Sequence, residues 1–380
     1  LIVGTHGRAM YILDDATPIQ QWTPEIAAQP AHLFPVRPAL RFPVMFTRYG
    51  LGDQEYRSPN PPYGALISYS LAEKIEKPGK EDKSGEAAMD DGSGDDQAGG
   101  EGAMARSQGD DAGGAMAGTS PKAGKQDRIR LEILDADGTV VRTIEQKKLP
   151  TEKGINRVAW DLTYDPPTPR KEGAGGGPAE EFFGPERGPA ALPGTYTVRL
   201  TVDGTAYETP VKVRLDPLVD ATPEALRASF EMASELTAWK SAINTGLRGL
   251  DVVVEDSAAR RAHVKRLGRV VPEALDATWT AREKEAQELI VLLGGKEGKP
   301  FWSQRPALIA EVASLERTVD GGFRAPTRPQ EEYRQDLEDR VGQALDAANA
   351  YFGNALPALN RELQEAHVPP LFVPEPVSIP

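Results

Sequence analysis

The sequence predicts a multidomain chain of β plus α class: a β-sandwich followed by a C-terminal antiparallel helical bundle. Three observations carry this. Between residues 61 and 216, apolar side chains alternate in short runs separated by turn residues. After residue 220 the apolar period lengthens to three and four. Between the first two runs lies a stretch of Gly, Ala, Asp, Glu and Lys too poor in apolar residues to offset the entropy of ordering it.

Residues 1–15 read as a hairpin, with apolar runs at Leu1 to Val3 and Ala9 to Leu13 around Gly4-Thr5-His6-Gly7-Arg8. The chain is thereby predicted to start inside a strand, as the tail of something larger. From 16 to 60, Pro18, Pro24, Pro30, Pro35, Pro38 and Pro43 forbid long helices and predict an extended connector. Within it, Ala31 to Phe34 and Arg41-Phe42 suit an edge strand, where Pro is tolerated nearby.

In the 61–216 unit, Ala65, Ile67, Tyr69 and Leu71 alternate with Leu66, Ser68 and Ser70, the pattern of a half-buried strand. Residues 77–127 form the insertion expected to be disordered. Ile129, Leu131 and Ile133 then alternate with charged neighbours, and Asp135-Ala136-Asp137-Gly138 turns the chain into Val140 to Ile144. Asn156 to Leu162 follows, with Trp160, Val158 and Leu162 predicted on the core face. A Gly/Pro-rich loop from about 165 to 190 leads to Tyr196, Val198, Leu200 and Val202. Asp203-Gly204 predicts a tight turn into a last strand through Val211, Val213 and Leu215. Six or seven short antiparallel strands without helical crossovers suit a sandwich better than a parallel sheet.

The 220–368 unit starts with Thr222 as cap and Pro223 at the first helical position. Its predicted helices run from there to Leu250, over 257–271, 272–293 and 306–319, and from Arg328 to Phe352 with a continuation from Ala355. Amphipathic stripes such as Leu308, Val312, Leu315 and Val319 need partners, which an antiparallel bundle supplies. A Pro-rich tail occupies 369–380.

Composition narrows the function. The net charge of −13 disfavours nucleic acid as a partner, and the absence of cysteine removes disulfides, thiolate metal sites and a Cys nucleophile. No apolar run reaches the roughly 18 residues of a membrane span. His6, His32, His263 and His367 show no metal-ligand spacing. The nucleophile elbow G-x-S-x-G, the Walker loop and the dinucleotide fingerprint do not occur. The acidic run Asp90 to Asp96 puts Asp91 and Asp95 at calcium-like spacing, but no bidentate Glu closes the loop and a solvated linker is the simpler reading. Among the tryptophans, Trp160 and Trp239 fit cores, while Trp302, between Phe301 and Ser303 in a loop, is the exposed candidate for stacking on a ligand.

Two resemblances add to this reading. The string VGTHGRAMYILDD resembles the closing hairpin of the last blade in sialidase-like, sortilin-type BNR-repeat β-propellers. The segments LEILDADGTVVRTI, INRVAWDL and LPGTYTVRLTVDG resemble the Ig or fibronectin type III-like module of the flagellar hook-capping protein, which recurs beside such propellers. The first implies a propeller-blade remnant at 1–15, the second an Ig/fibronectin III-like β-sandwich. Together they imply a non-catalytic accessory and interaction region of an exported bacterial protein, glycosyl hydrolase-like by kinship. Its partners would be the upstream propeller of the same polypeptide and a protein or glycan ligand, with no cofactor.

The alternative they imply is part of a sialidase-like glycoside hydrolase whose active site lies mainly upstream, with His6 as base and Arg8 gripping an anion. Against it, the Asp box S-x-D-x-G-x-x-W and an arginine triad are missing from these residues, and packing of the hairpin turn against a neighbouring blade accounts for His6 and Arg8 as well.

Limited proteolysis is expected to cut first within 77–127. The nicked halves should co-elute under native conditions, because strands on both sides of the insertion share one core. Halves that separate would place those strands in different units.

Overall fold

The computed structural model describes residues 2–7, 9–43, 60–77, 127–171, 186–296 and 306–379. The predicted hairpin is present: β1 (Ile2–Thr5) pairs antiparallel with β2 (Ala9–Ile12). Two short helices follow, α1 (Thr17–Gln21) and α2 (Pro24–Ala27), each with Pro in its first turn, where a missing N–H costs nothing.

The strands after them form two sheets. One has three strands in the order β3 (Ala31–Leu33), β5 (Ala65–Leu71), β8 (Gly154–Trp160). The other has five, in the order β4 (Ala39–Arg41), β10 (Thr205–Leu215), β9 (Gly194–Val202), β6 (Ile129–Leu134), β7 (Val140–Ile144). The chain crosses repeatedly between them, and their inner faces share one apolar core. Ile67, Tyr69 and Trp160 come from the smaller sheet, Ile129, Leu131, Val198 and Leu200 from the larger, and all are fully buried. The indole of Trp160 donates to the Thr163 carbonyl at 2.8 Å and meets the Tyr196 ring at 5.2 Å. Both predicted turns form. Asp135 Oδ1 accepts from the Asp137 and Thr139 amides, and Asp203 and Gly204 sit at φ 47° and 82°, the left-handed pair of a two-residue hairpin turn.

Two expectations change. The edge strands expected within the connector are present as β3 and β4, one at the edge of each sheet, but β4 runs parallel to β10 rather than antiparallel. An edge position reconciles strands with prolines, because one side of the ladder needs no donors. The Ser68 and Ser70 face of β5 is buried too, since the chain near Asp15 folds over it and Arg157 bonds both Ser68 Oγ and the Asp15 carbonyl. The insertion expected over 77–127 lies almost wholly outside the described residues.

The helical region begins with α3 (Pro223–Arg266), capped by Thr222 Oγ1 on the Ala225 amide. The two helices expected over 222–250 and 257–271 are in fact this one helix of 44 residues. No Gly or Pro interrupts 250–257, and Val253 and Ser257 stay on its buried face. Then come α4 (Glu273–Gly294), α5 (Leu308–Asp320) and α6 (Arg328–Ala350). A single π-turn (Tyr351–Ala355) joins α6 to α7 (Leu356–Glu365), so the expected break is a bulge that accommodates Pro357, which has no N–H to give. Contacts run in opposite order along successive partners. Ser257 meets Glu283 while Arg261 meets Asp276, and Ser229 meets Val319 while Thr237 meets Glu316. Hence α4 and α5 are antiparallel to α3, and one apolar core containing Trp239 and Trp279 unites the helices.

Trp160→Ala should destabilise the chain by about 3 to 5 kcal/mol, the cost of truncating a large core side chain. Denaturant unfolding followed by circular dichroism measures it. An unchanged midpoint would remove Trp160 as the anchor of the two-sheet core.

Candidate functional site: a charge clasp between sheets and helices

Where the sheets meet α3 and α5, charged side chains are withdrawn from water. Lys240 is 2% exposed, Arg41 4% and Glu316 8%. Each lies where local structure forces it inward. On α3, Lys240 occupies the apolar stripe between Leu236 and Ile243, and on α5, Glu316 lies between Val312 and Val319. On β4, Arg41 shares the inward face with Ala39.

The groups satisfy one another. Lys240 Nζ stands 2.5 Å from Glu316 Oε2 and 3.0 Å from Glu186 Oε1. The other Glu316 oxygen accepts from Thr237 Oγ1 at 2.6 Å. Asp320, closing α5, accepts the Ala190 amide at 3.0 Å. Arg41 donates to the Ala191 carbonyl at 3.1 Å, and its guanidinium lies 5.0 Å over the Phe323 ring, in a loop where Phe323 is held at φ 47°. Burial pushes the Glu316 carboxyl above its ordinary range, with Lys240 opposing. Burial raises Asp320 likewise, opposed by the Ala190 amide, Arg41 and Lys240.

Beside this cluster the 164–170 segment is fastened along α3. Arg170 forks onto Asp251 at 2.7 and 2.6 Å, Asn244 donates to the Thr168 carbonyl at 2.8 Å, and Tyr164 packs on Phe230 at 4.9 Å. Two cavities lie elsewhere. One, of 10 Å³, adjoins Trp279 and Tyr351, and the other, of 360 Å³, lies between Arg269, Val270 and His367. The arrangement is that of a clasp: matched donors and acceptors in a seam closed on the Lys240–Glu316 side and open at Glu186, which ties the helices to the sheets.

The residues singled out from sequence are not gathered here. His6 is exposed in the β1–β2 turn, far along the chain from any of these groups. Arg8, Asp91, Asp95 and Trp302 lie outside the described residues. Trp239 and Trp279 are core residues, 1% and 0% exposed. Among the described residues no three His, Asp or Glu side chains converge as a metal site. Among them, too, no helix is long and apolar enough to cross a membrane. Sequence reasoning missed Lys240, Glu316 and Arg41, although a signal was available: a charge inside an apolar stripe must either be paired or break the stripe. Searches of protein-family models and of curated proteins find no match for the chain.

Lys240→Met should leave Glu316 buried without its cation and cost about 3 to 5 kcal/mol near neutral pH. Glu316 already titrates above its ordinary value, and losing Lys240 raises it further. A raised folded-state pKa favours folding below the unfolded value, and that contribution is lost as pH rises through the folded value. The gap between variant and parent should therefore widen as pH rises above the ordinary glutamate range, read by urea denaturation at each pH. A gap independent of pH would refute the pairing.

Proposed function

We propose that this chain is a non-catalytic accessory and interaction region that follows a BNR-repeat propeller in an exported protein, its hairpin closing the last blade. The observation that carries the proposal is the character of β1 and β2. Ile2, Met10 and Ile12 on one face are 65%, 69% and 66% exposed, and Val3 and Tyr11 on the other are 46% and 61% exposed. A two-stranded hairpin is marginal alone, and one apolar on both faces suits a sheet sandwiched between neighbours, as a blade is in a propeller. The resemblance of the same residues to a closing blade hairpin points the same way.

An Ig-like reading of the two sheets finds support in Trp160 at their centre. It also finds support in Tyr196, whose hydroxyl donates to the carbonyl of Leu192, four residues upstream, in the manner of a tyrosine corner. The clasp supports a spacer role, because it holds sheets and helices in one orientation. On this reading the partners are the propeller and a protein or glycan ligand, and any hydrolytic centre belongs to the propeller.

The test compares the 380-residue chain with the product extended upstream through the adjoining coding sequence. Amides of 2–12 should exchange rapidly in the first and become protected in the second. Met10→Lys should change stability by under about 0.5 kcal/mol in the first and by more in the second. Neither form of the short chain should turn over aryl glycosides, sialosides included. An upstream sequence without blade repeats, or turnover by the short chain that His6→Ala or Arg8→Ala abolishes, would overturn the proposal.

A further inference from the structure

The segment 366–379 has neither helix nor strand, yet it is not loose. Val368, Leu371 and Pro374 are buried and Val377 is partly so, whereas the residues between them are exposed. Burial at every third residue is the repeat of a polyproline-II helix, and Pro369, Pro370, Pro374 and Pro376 favour that conformation.

The helices hold this strap by its backbone. Asn360 donates Nδ2 to the Leu371 carbonyl at 2.9 Å and accepts the Leu371 amide at 2.7 Å. Asn349 does the same for Val377, at 2.7 and 2.8 Å. Asp256 accepts the Phe372 amide at 3.0 Å. The spacings match: eleven residues of helix at 1.5 Å rise separate the asparagines, about 16 Å, and six residues at 3.1 Å separate their partners, about 19 Å. Beneath Pro374 lies Gly249, where a Cβ would come within 3.0 Å of the proline ring. A carboxamide that binds N–H and C=O of one residue reads backbone rather than side chain, so the groove recognises an extended peptide with an apolar residue at each third position.

The hinge between α7 and the strap is strained. His367 is held at φ 56°, a left-handed conformation uncommon for a residue other than Gly, and Arg269 donates to its carbonyl at 2.9 Å. Short strained hinges favour exchange of the element they tether, because opening relieves the strain while all other contacts are remade in the partner.

We propose that this groove is a binding site for a proline-rich polyproline-II peptide, filled in the monomer by the chain's own strap and open to the identical strap of a second copy. The probe is a fluorescein-labelled peptide with the sequence of 366–380, titrated against the full chain and against its Leu371→Asp variant, which weakens the resident strap and leaves the groove intact. A resident competitor lowers apparent affinity by the fraction of open groove, so the variant should bind at least about tenfold more tightly than the parent. Adding Asn360→Ala to the variant should remove that gain. The parent at high concentration should form a dimer that excess peptide dissociates and that His367→Gly diminishes.

No saturable binding to a folded Leu371→Asp chain overturns the groove, and peptide binding without any dimer overturns the second copy as its occupant. Should Leu371→Asp unfold, hydrogen exchange on the unmodified chain decides. Leu371 and Val377 amides should exchange through openings that leave α3 protected, whereas exchange only together with α3 means that the strap never vacates the groove and overturns the proposal.

Discussion

The packing of sheets on helices depends on Lys240 having somewhere to put its charge. An ammonium on the apolar stripe of α3 would break that stripe if left alone, since an unpaired buried charge is far costlier than a lost contact. Glu316 answers it from α5, and Glu186 reaches it from the sheet side. The same seam therefore fixes α5 against α3 and brings the 186–191 segment onto both. Arg41 and Asp320 strengthen the seam a short distance away: Arg41 donates to the Ala191 and Asp320 backbone carbonyls, and the Asp320 carboxylate accepts the Ala190 amide. An ion pair of this kind adds little net stability over an apolar seam of the same shape, but it penalises every docking angle that leaves a charge unmatched.

The second organising feature is the length of α3. Its 44 residues span about 66 Å, longer than either sheet's strands, so one helix meets several neighbours in turn. Its first half carries Ser229, Thr237 and Lys240 toward α5 and the sheets. Its second half carries Ser257 and Arg261 toward α4, where Trp279 donates to Ser257 and lies under the Arg261 guanidinium. Between them, Gly249 and Asp256 face the strap. A helix broken at residue 250 would have two independent axes and could not hold these neighbours in a common frame.

The hairpin and the strap are opposites. β1 and β2 expose large apolar side chains on both faces, whereas 366–379 buries every third residue and pairs its backbone with asparagines. The first is an element with its apolar contacts unmade. The second is an element whose contacts are complete but whose hinge stores strain.

Much of the fold could be read directly from the residues. Alternation placed β5, β6, β9 and β10, the turns at Asp135 and Asp203 followed from their Gly and Asp, and Thr222-Pro223 marked the start of α3, because these signals are local and act within a few residues. What the sequence could not decide was anything set by contacts between distant segments. The parallel docking of β4 on β10 depends on a partner more than 160 positions away. The continuity of α3 through residues 250–257 depends on Val253 and Ser257 finding α4. The clasp joins Arg41, Glu186, Lys240 and Glu316 from three elements and a loop, and no local pattern shows which charge will answer which. The strap looked like a proline-rich tail because proline excludes helix and sheet, and its seat became visible only once Asn349 and Asn360 stood on one face of the α6–α7 rod. Propensity and periodicity are properties of a short window, and pairing of buried polar groups is a property of the packed whole.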